Sequence, residues 1–130
     1  MTSRIEGLNK IYGTRILASA ETKNARGAEF EWRCVDRVAV VGRRRSTEIY
    51  ELLGINGHLD RVALEARDQY EAALQKYFVQ DFESAMALFE AALKLRPTDK
   101  ACEVLRLRCQ NLLVNPRRND WSGVFEAAEK

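Results

Sequence analysis

The sequence has one histidine, two prolines and three cysteines among 130 residues. His58 alone cannot supply a histidine-based metal site or a Ser-His-Asp triad. Cys34, Cys102 and Cys109 form no CxxC pair. They read as small buried apolar residues of a reducing compartment. No apolar run approaches about 18 residues, the length a membrane helix needs. No secretory leader opens the chain, so no membrane partner and a cytoplasmic location are expected. The net charge is only +2. The Arg43, Arg44, Arg45 run has no aromatic residues interleaved with it, and nucleic acid is therefore not an expected partner.

What is present is a globular balance, 46% hydrophobic and 31% charged residues, enough for one ordinary domain or two small units. The hydrophobic period changes along the chain. Ile5, Leu8, Ile11 and Tyr12 predict a helix over residues 3–12, ended by Gly13. "RILAS" (15–19) predicts a short strand, and Ala20 to Arg26 a short helix ended by Gly27. "EFEWRCV" (29–35) alternates Phe30, Trp32 and Cys34 with charged neighbours, as a half-buried strand does. "RVAVVG" (37–42) predicts a second strand, Gly42 and the arginines a turn, and "TEIYELLG" (47–54) a third strand rich in β-branched and aromatic residues. With "RILAS", that makes about four short strands.

"INGHLD" (55–60) reads as a linker. Residues 61 to about 114 are helical by period, broken at "VQDF" (79–82) and at "RPTD" (96–99), where proline stops one helix and Thr98 or Asp99 caps the next. "NPRRND" (115–120) closes the third helix. In the tail, Trp121, Val124 and Phe125 are expected to dock on the helices. The expected fold class is therefore α+β, with a mixed unit over 1–54 and an all-α unit over 61–130.

The helical half resembles a tetratricopeptide (TPR) repeat, whose period is about 34 residues. Ala85, Phe89, Ala92 and Pro97 match its second helix. Small alanines let two helices approach, Phe89 fills the gap and Pro97 ends the helix. Ala73 and Tyr77 match the first helix, where Gln69 and Gln80 replace the usual bulky residue and glycine. Residues 100–114 would open a second repeat, giving a TPR-like hairpin plus a third helix.

"TSRIEGLNKIYGTRILAS" followed by "FEWRCVDRVAVVGRRRSTEIYELLG" resembles the carboxy-terminal part of a class III adenylate/guanylate cyclase catalytic domain. The family pattern is a helix with Asn-x-x-x-Arg, then "EGLNK.YGT.IL.S", a "D.V.VKG" strand, a basic turn and a final "VYELLG" strand. The resemblance covers roughly residues 1–54. Family members with a helical-repeat tail and a "W-x-G-V" segment also match 120–125. It implies a remnant of the family's ferredoxin-like domain and a role in cyclic-nucleotide biosynthesis and intracellular signalling.

Residue by residue, the family's asparagine falls one position before Met1 and its arginine on Arg4. The resemblance gives Arg4 the catalytic role of neutralising triphosphate charge as the ribose 3′ oxygen attacks the α-phosphorus. A fixed guanidinium aimed at developing phosphate charge suits that task. The phosphate-binding lysine of "VKG" falls on Val41, leaving Arg43 and Arg44 as weaker phosphate-binding candidates. The family's two metal-binding aspartates have no counterpart. Asp36, Asp60 and Asp68 fall in a strand connection, a linker and a helix, without the paired spacing that two-metal chemistry needs. No cofactor is therefore expected on these residues, Mg²⁺ or Mn²⁺ and ATP belonging to the complete family domain.

By this resemblance the chain is a truncated cyclase, inactive alone. Its expected partner is a cyclase protomer or the missing amino-terminal half, with a homodimer or a peptide on the helical region as further partners. The alternative is a non-catalytic, TPR-like interaction module that regulates a cyclase partner. Uncovered apolar residues on the remnant sheet (Phe30, Trp32, Val38, Val40, Ile49, Tyr50 and Leu52) point to marginal stability or dimerisation.

Overall fold

A computed structural model describes residues 8–26, 29–40, 47–115 and 125–127. Residues 8–12 are helical, as their spacing predicts; residues 3–7 of that expected helix lie outside the described residues. The helix ends where expected. Gly13 takes φ 69, and the Thr14 N–H donates to the Asn9 carbonyl at 3.1 Å. This is a Schellman closure, in which a left-handed residue lets the chain return to an orphaned carbonyl. The Thr14 hydroxyl donates to Asn9 Oδ1 at 2.7 Å. Leu8 and Tyr12, one turn apart, are both buried.

The first strand, β1, is Leu17–Ser19, and the short helix α1 is Ala20–Arg26. Ser19 Oγ accepts from the Thr22 N–H at 3.4 Å, a cap from the strand's last residue. Strand β2 is Phe30–Val40 and β3 is Thr47–Ile55. The two strands expected over 29–35 and 37–42 are thus one continuous strand. Asp36 interrupts the apolar alternation, but nothing there forces a turn. Instead Val35 is an extra residue in a β-bulge: Cys34 lies opposite Tyr50 and Asp36 opposite Ile49.

The fourth strand comes from the tail. Strand β4, Phe125–Ala127, pairs parallel with Val38–Val40 of β2. The sheet order is β1-β3-β2-β4, with β1–β3 and β2–β3 antiparallel. Phe125 therefore belongs to a strand of the sheet; a period-based reading had no means of finding a three-residue strand whose partner is 87 positions away (Val38 with Phe125). Trp121 and Val124 lie outside the described residues. Trp32, Val38 and Ile49 are buried within this chain, so part of the sheet surface expected to lack cover has it, while Phe30, Tyr50 and Leu52 remain partly exposed.

Three helices make up the rest: α2 (Arg61–Phe78), α3 (Phe82–Leu95) and α4 (Lys100–Val114). Each is capped by an aspartate whose carboxylate accepts from the third helical N–H: Asp60 from Ala63, Asp81 from Ser84 and Asp99 from Cys102. Of the two caps expected at 98–99, Asp99 is the one used. Along α3, Ala85, Phe89 and Ala92 are buried, as are Ala73 and Tyr77 of α2. Phe89 meets Tyr70 edge-on at 5.2 Å between ring centroids, and Phe82 meets Tyr77 at 5.9 Å. Small residues let the backbones approach, and aromatic edges fill what remains.

The turn between α2 and α3 closes as a full Schellman motif. Gln80 N–H donates to the Tyr77 carbonyl and Asp81 N–H to the Lys76 carbonyl. Gln80 takes φ 66, a left-handed conformation that costs a residue with a Cβ roughly 1 kcal/mol. Gln80→Gly is expected to stabilise the helices by about 0.5–1 kcal/mol, glycine's greater unfolded-state freedom cancelling part of the relief. Thermal melts of the two proteins check this, and a lower melting temperature for the glycine variant would refute it.

The chain divides into two compact units, Met1–Leu59 with Val124–Lys130, and Asp60–Gly123. It is a mixed α and β protein. Among the described residues, no helix is long and apolar enough to cross a membrane.

Candidate functional site

Arg4, Arg43 and Arg44 lie outside the described residues, as does Val41. The described parts of the sheet unit show what flanks them: the helical segment that ends at Gly13, and the strands β2 and β3 on either side of residues 41–46.

Two buried polar pairs lie among the described residues of the sheet unit. The Tyr12 hydroxyl donates to Asp36 Oδ2 at 2.6 Å, and neither residue has any exposed surface. The Arg37 N–H donates to the other carboxylate oxygen at 2.8 Å. The bulge makes this bond possible. Uninterrupted pairing would set Asp36 opposite Glu48, on the face of Cys34 and Tyr50; the extra residue turns it to the face of Ile49. Glu51 and Arg33 are opposite each other on β3 and β2 and form an ion pair at 2.5 Å, their side chains 17% and 4% exposed. Sequence reasoning missed both pairs. Arg33 reads as a charged neighbour on the solvated side of a half-buried strand, and Asp36 as part of a connection between two strands.

A second polar group uses the opposite face. Tyr50 donates to Glu48 at 2.9 Å, Arg37 pairs with Glu48 at 3.6 Å, and the Lys23 ammonium stands 5.0 Å from the centre of the Tyr50 ring. These part-exposed contacts tie α1 to β3 and β3 to β2 at modest energies.

Among the described residues, no group of three or more His, Cys, Asp or Glu is placed to hold a metal ion. The three aspartates weighed for that role are engaged otherwise. Asp36 is bonded to Tyr12, Asp60 caps α2, and Asp68 pairs with its neighbour Arg67 at 2.9 Å. The described donor set therefore does not fit the two-metal centre that the cyclase resemblance implies.

The cysteines are buried free thiols. Cys102 donates to the Phe89 carbonyl at 3.1 Å. Burial pushes the Cys109 thiol up from 9.0 to about 12, against the opposing pull of Arg108. Cys109 is thus the reverse of a catalytic thiolate. It is expected to stay unmodified by an aromatic disulfide reagent at pH 8 until the helices unfold. Between about pH 9 and 12 the unfolded thiol loses its proton and the folded one keeps it. Stability from this group is full below pH 9 and falls by about 1.4 kcal/mol per pH unit across that window. Rapid labelling of native protein at pH 8, with Cys109 among the modified residues, would contradict this.

A curated relative is the terminal-differentiation-specific adenylate cyclase of Dictyostelium discoideum. It is 32% identical over 117 residues, covering 86% of this chain and 6% of that protein. The chain therefore spans a small part of the relative's length. A match of that extent runs through both compact units, since neither Asp60–Gly123 nor the sheet unit is long enough to contain it. No family model matches the chain, and no solved structure matches it. The chain resembles an adenylate cyclase.

Proposed function

We propose that this chain is the carboxy-terminal part of a class III adenylate or guanylate cyclase catalytic domain joined to a TPR-like helical region. In this reading it contributes Arg4 to an active site whose metals are held by another polypeptide segment. The observation that carries the reading is the single alignment to an adenylate cyclase through both units. Chance likeness of one amphipathic helix pair would not extend across a sheet unit as well. The family motif places Arg4 against triphosphate charge, where a fixed guanidinium has its largest effect in the transition state. Arg43 and Arg44 are weaker phosphate contacts in the same reading. The complete domain would use Mg²⁺ or Mn²⁺ with ATP or GTP and would act in the cytoplasm.

The test has two arms. The purified chain with Mn²⁺ and ATP or GTP is expected to form no cyclic nucleotide. Mixed with a class III protomer that keeps its metal-binding aspartates but has lost its own arginine, the chain is expected to restore cyclisation. Arg4→Ala should then lower that restored rate on the order of 10³-fold. Robust product from the chain alone, or no restoration with any excess of chain, would overturn the reading.

One observation favours the alternative, a TPR-like module that regulates a cyclase partner. Buried positions of α2 recur in α4 at a constant spacing of 35: Ala66 and Ala101, Tyr70 and Leu105, Leu74 and Cys109, Tyr77 and Leu112. A recurring buried set is what stacked helical repeats require. In that case the Arg4→Ala chain changes the partner's rate as much as the wild-type chain does.

A further inference from the structure

We propose that Asn56 is a spontaneous modification site: the native turn lets the Gly57 nitrogen displace its side-chain amide, leaving aspartate or isoaspartate in the segment that joins β3 to α2. The role stands independently of the cyclase reading. The Gly57 nitrogen attacks the Asn56 side-chain carbonyl carbon. A bond forms between that nitrogen and Cγ, the Cγ–Nδ2 bond breaks, and the amide leaves as ammonia with the proton from Gly57. Water then opens the cyclic imide at either carbonyl. Opening at the side-chain carbonyl gives aspartate. Opening at the main-chain carbonyl gives isoaspartate, whose backbone is longer by one carbon. Either product adds one negative charge.

The turn favours this step at several points. The His58 N–H donates to the Ile55 carbonyl at 3.0 Å and closes a turn over residues 55–58. Gly57 is its third residue and takes φ 85, as a type II turn requires. Glycine occupies both signs of φ readily, so the peptide between Asn56 and Gly57 can turn over at low cost. Among the described residues the Gly57 N–H makes no hydrogen bond. The Asn56 N–H donates to the Glu29 carbonyl at 3.0 Å, which anchors the residue through an atom the reaction does not use. Both residues are exposed, and a Cβ on Gly57 would meet no atom within 4 Å. Neither packing nor a side chain therefore blocks the ring. The other asparagines lack this combination. Asn9, Asn24 and Asn111 are helical, with backbone dihedrals that hold the next nitrogen away from the side chain. Asn115 precedes Pro116, which has no N–H to give. Asn119 precedes Asp120, whose Cβ crowds the attacking nitrogen.

The experiment incubates the full chain in mildly alkaline buffer, folded and unfolded in urea, and follows amide loss at each asparagine by peptide mass mapping. Isoaspartate is counted by labelled methyl transfer from an isoaspartyl methyltransferase. In the folded chain Asn56 is expected to lose its amide before any other asparagine and to carry the methyl label. The Asn56→Gln chain, whose longer side chain must close a larger ring, is expected to stay unlabelled over the same time. Local opening of an exposed turn costs close to nothing, so the folded rate should lie within about tenfold of the unfolded rate. A site that reacts only after global unfolding would be slowed by at least about 10³-fold. A folded rate more than about tenfold below the unfolded one would mean that the native turn protects Asn56, and the proposal would be wrong. Amide loss at another asparagine ahead of Asn56, or equal labelling of the Asn56→Gln chain, would also overturn it.

Discussion

Phe89→Ala is expected to lower the melting temperature of the helical unit by 15 °C or more. Phe89 has no exposed surface. Its ring meets Tyr70 edge-on at 5.2 Å with the planes at 68°. Its own carbonyl accepts from Cys102 of α4, so α2, α3 and α4 all converge on this residue. Truncating a buried phenylalanine costs about 3–5 kcal/mol through lost transfer energy and the cavity left behind. In a unit as small as Asp60–Gly123, that is comparable with the whole stability, and each kcal/mol moves the midpoint by roughly 4–8 °C. The measurement is ellipticity at 222 nm against temperature. A shift under about 5 °C would mean that neighbouring side chains collapse into the space and that Phe89 does not organise the three helices.

The second large effect concerns the ion pair on the sheet. Glu51→Ala is expected to cost about 3 kcal/mol, because it removes the carboxylate 2.5 Å from the Arg33 guanidinium, whose side chain is only 4% exposed. Replacing both residues by apolar ones, Arg33→Met with Glu51→Leu, should recover most of that loss, since the desolvation of both charges disappears together. Leu17 already lies opposite Glu51 from β1, so an apolar row across the three strands would pack in place of the charges. Urea unfolding of the two single variants and the double variant measures the coupling. A double variant as unstable as the sum of the singles would show that the two charges do not depend on each other.

The helical elements were legible because their information is local. Asp60, Asp81 and Asp99 stand three residues before the N–H groups they accept from, and Ala85, Phe89 and Ala92 repeat at the spacing of one helix face. Gln80 shows how far such reading goes. A glutamine where the repeat pattern has glycine looked like a departure, yet the backbone there takes the glycine-like φ of 66. The hydrogen bonds that close the turn outweigh the strain of a Cβ.

The sheet was legible only in part. Alternation marked β2 and β3, but it broke at Asp36 and was read as a gap between two strands. A bulge and a gap leave the same mark in a one-dimensional pattern, since both shift the phase by one residue. The candidate site was read from family likeness, and its three arginines lie outside the described residues. The buried polar pairs of the sheet unit could not be read at all. Nothing in the local sequence couples Tyr12 to Asp36, 24 positions away, or Arg33 to Glu51, 18 away.

By itself, then, the sequence determined the helices, their breaks, the cap at Asp99 and the burial of the small and aromatic residues on α2 and α3. Each of these depends on residue type at short, regular spacing, whereas the likeness to a cyclase rests on motifs matched in order. Only the tertiary structure decided that β2 is one strand, that the tail closes the sheet beside it, and that Asp36 faces Tyr12. Those outcomes depend on strand register, and register is set by contacts among residues distant in the chain.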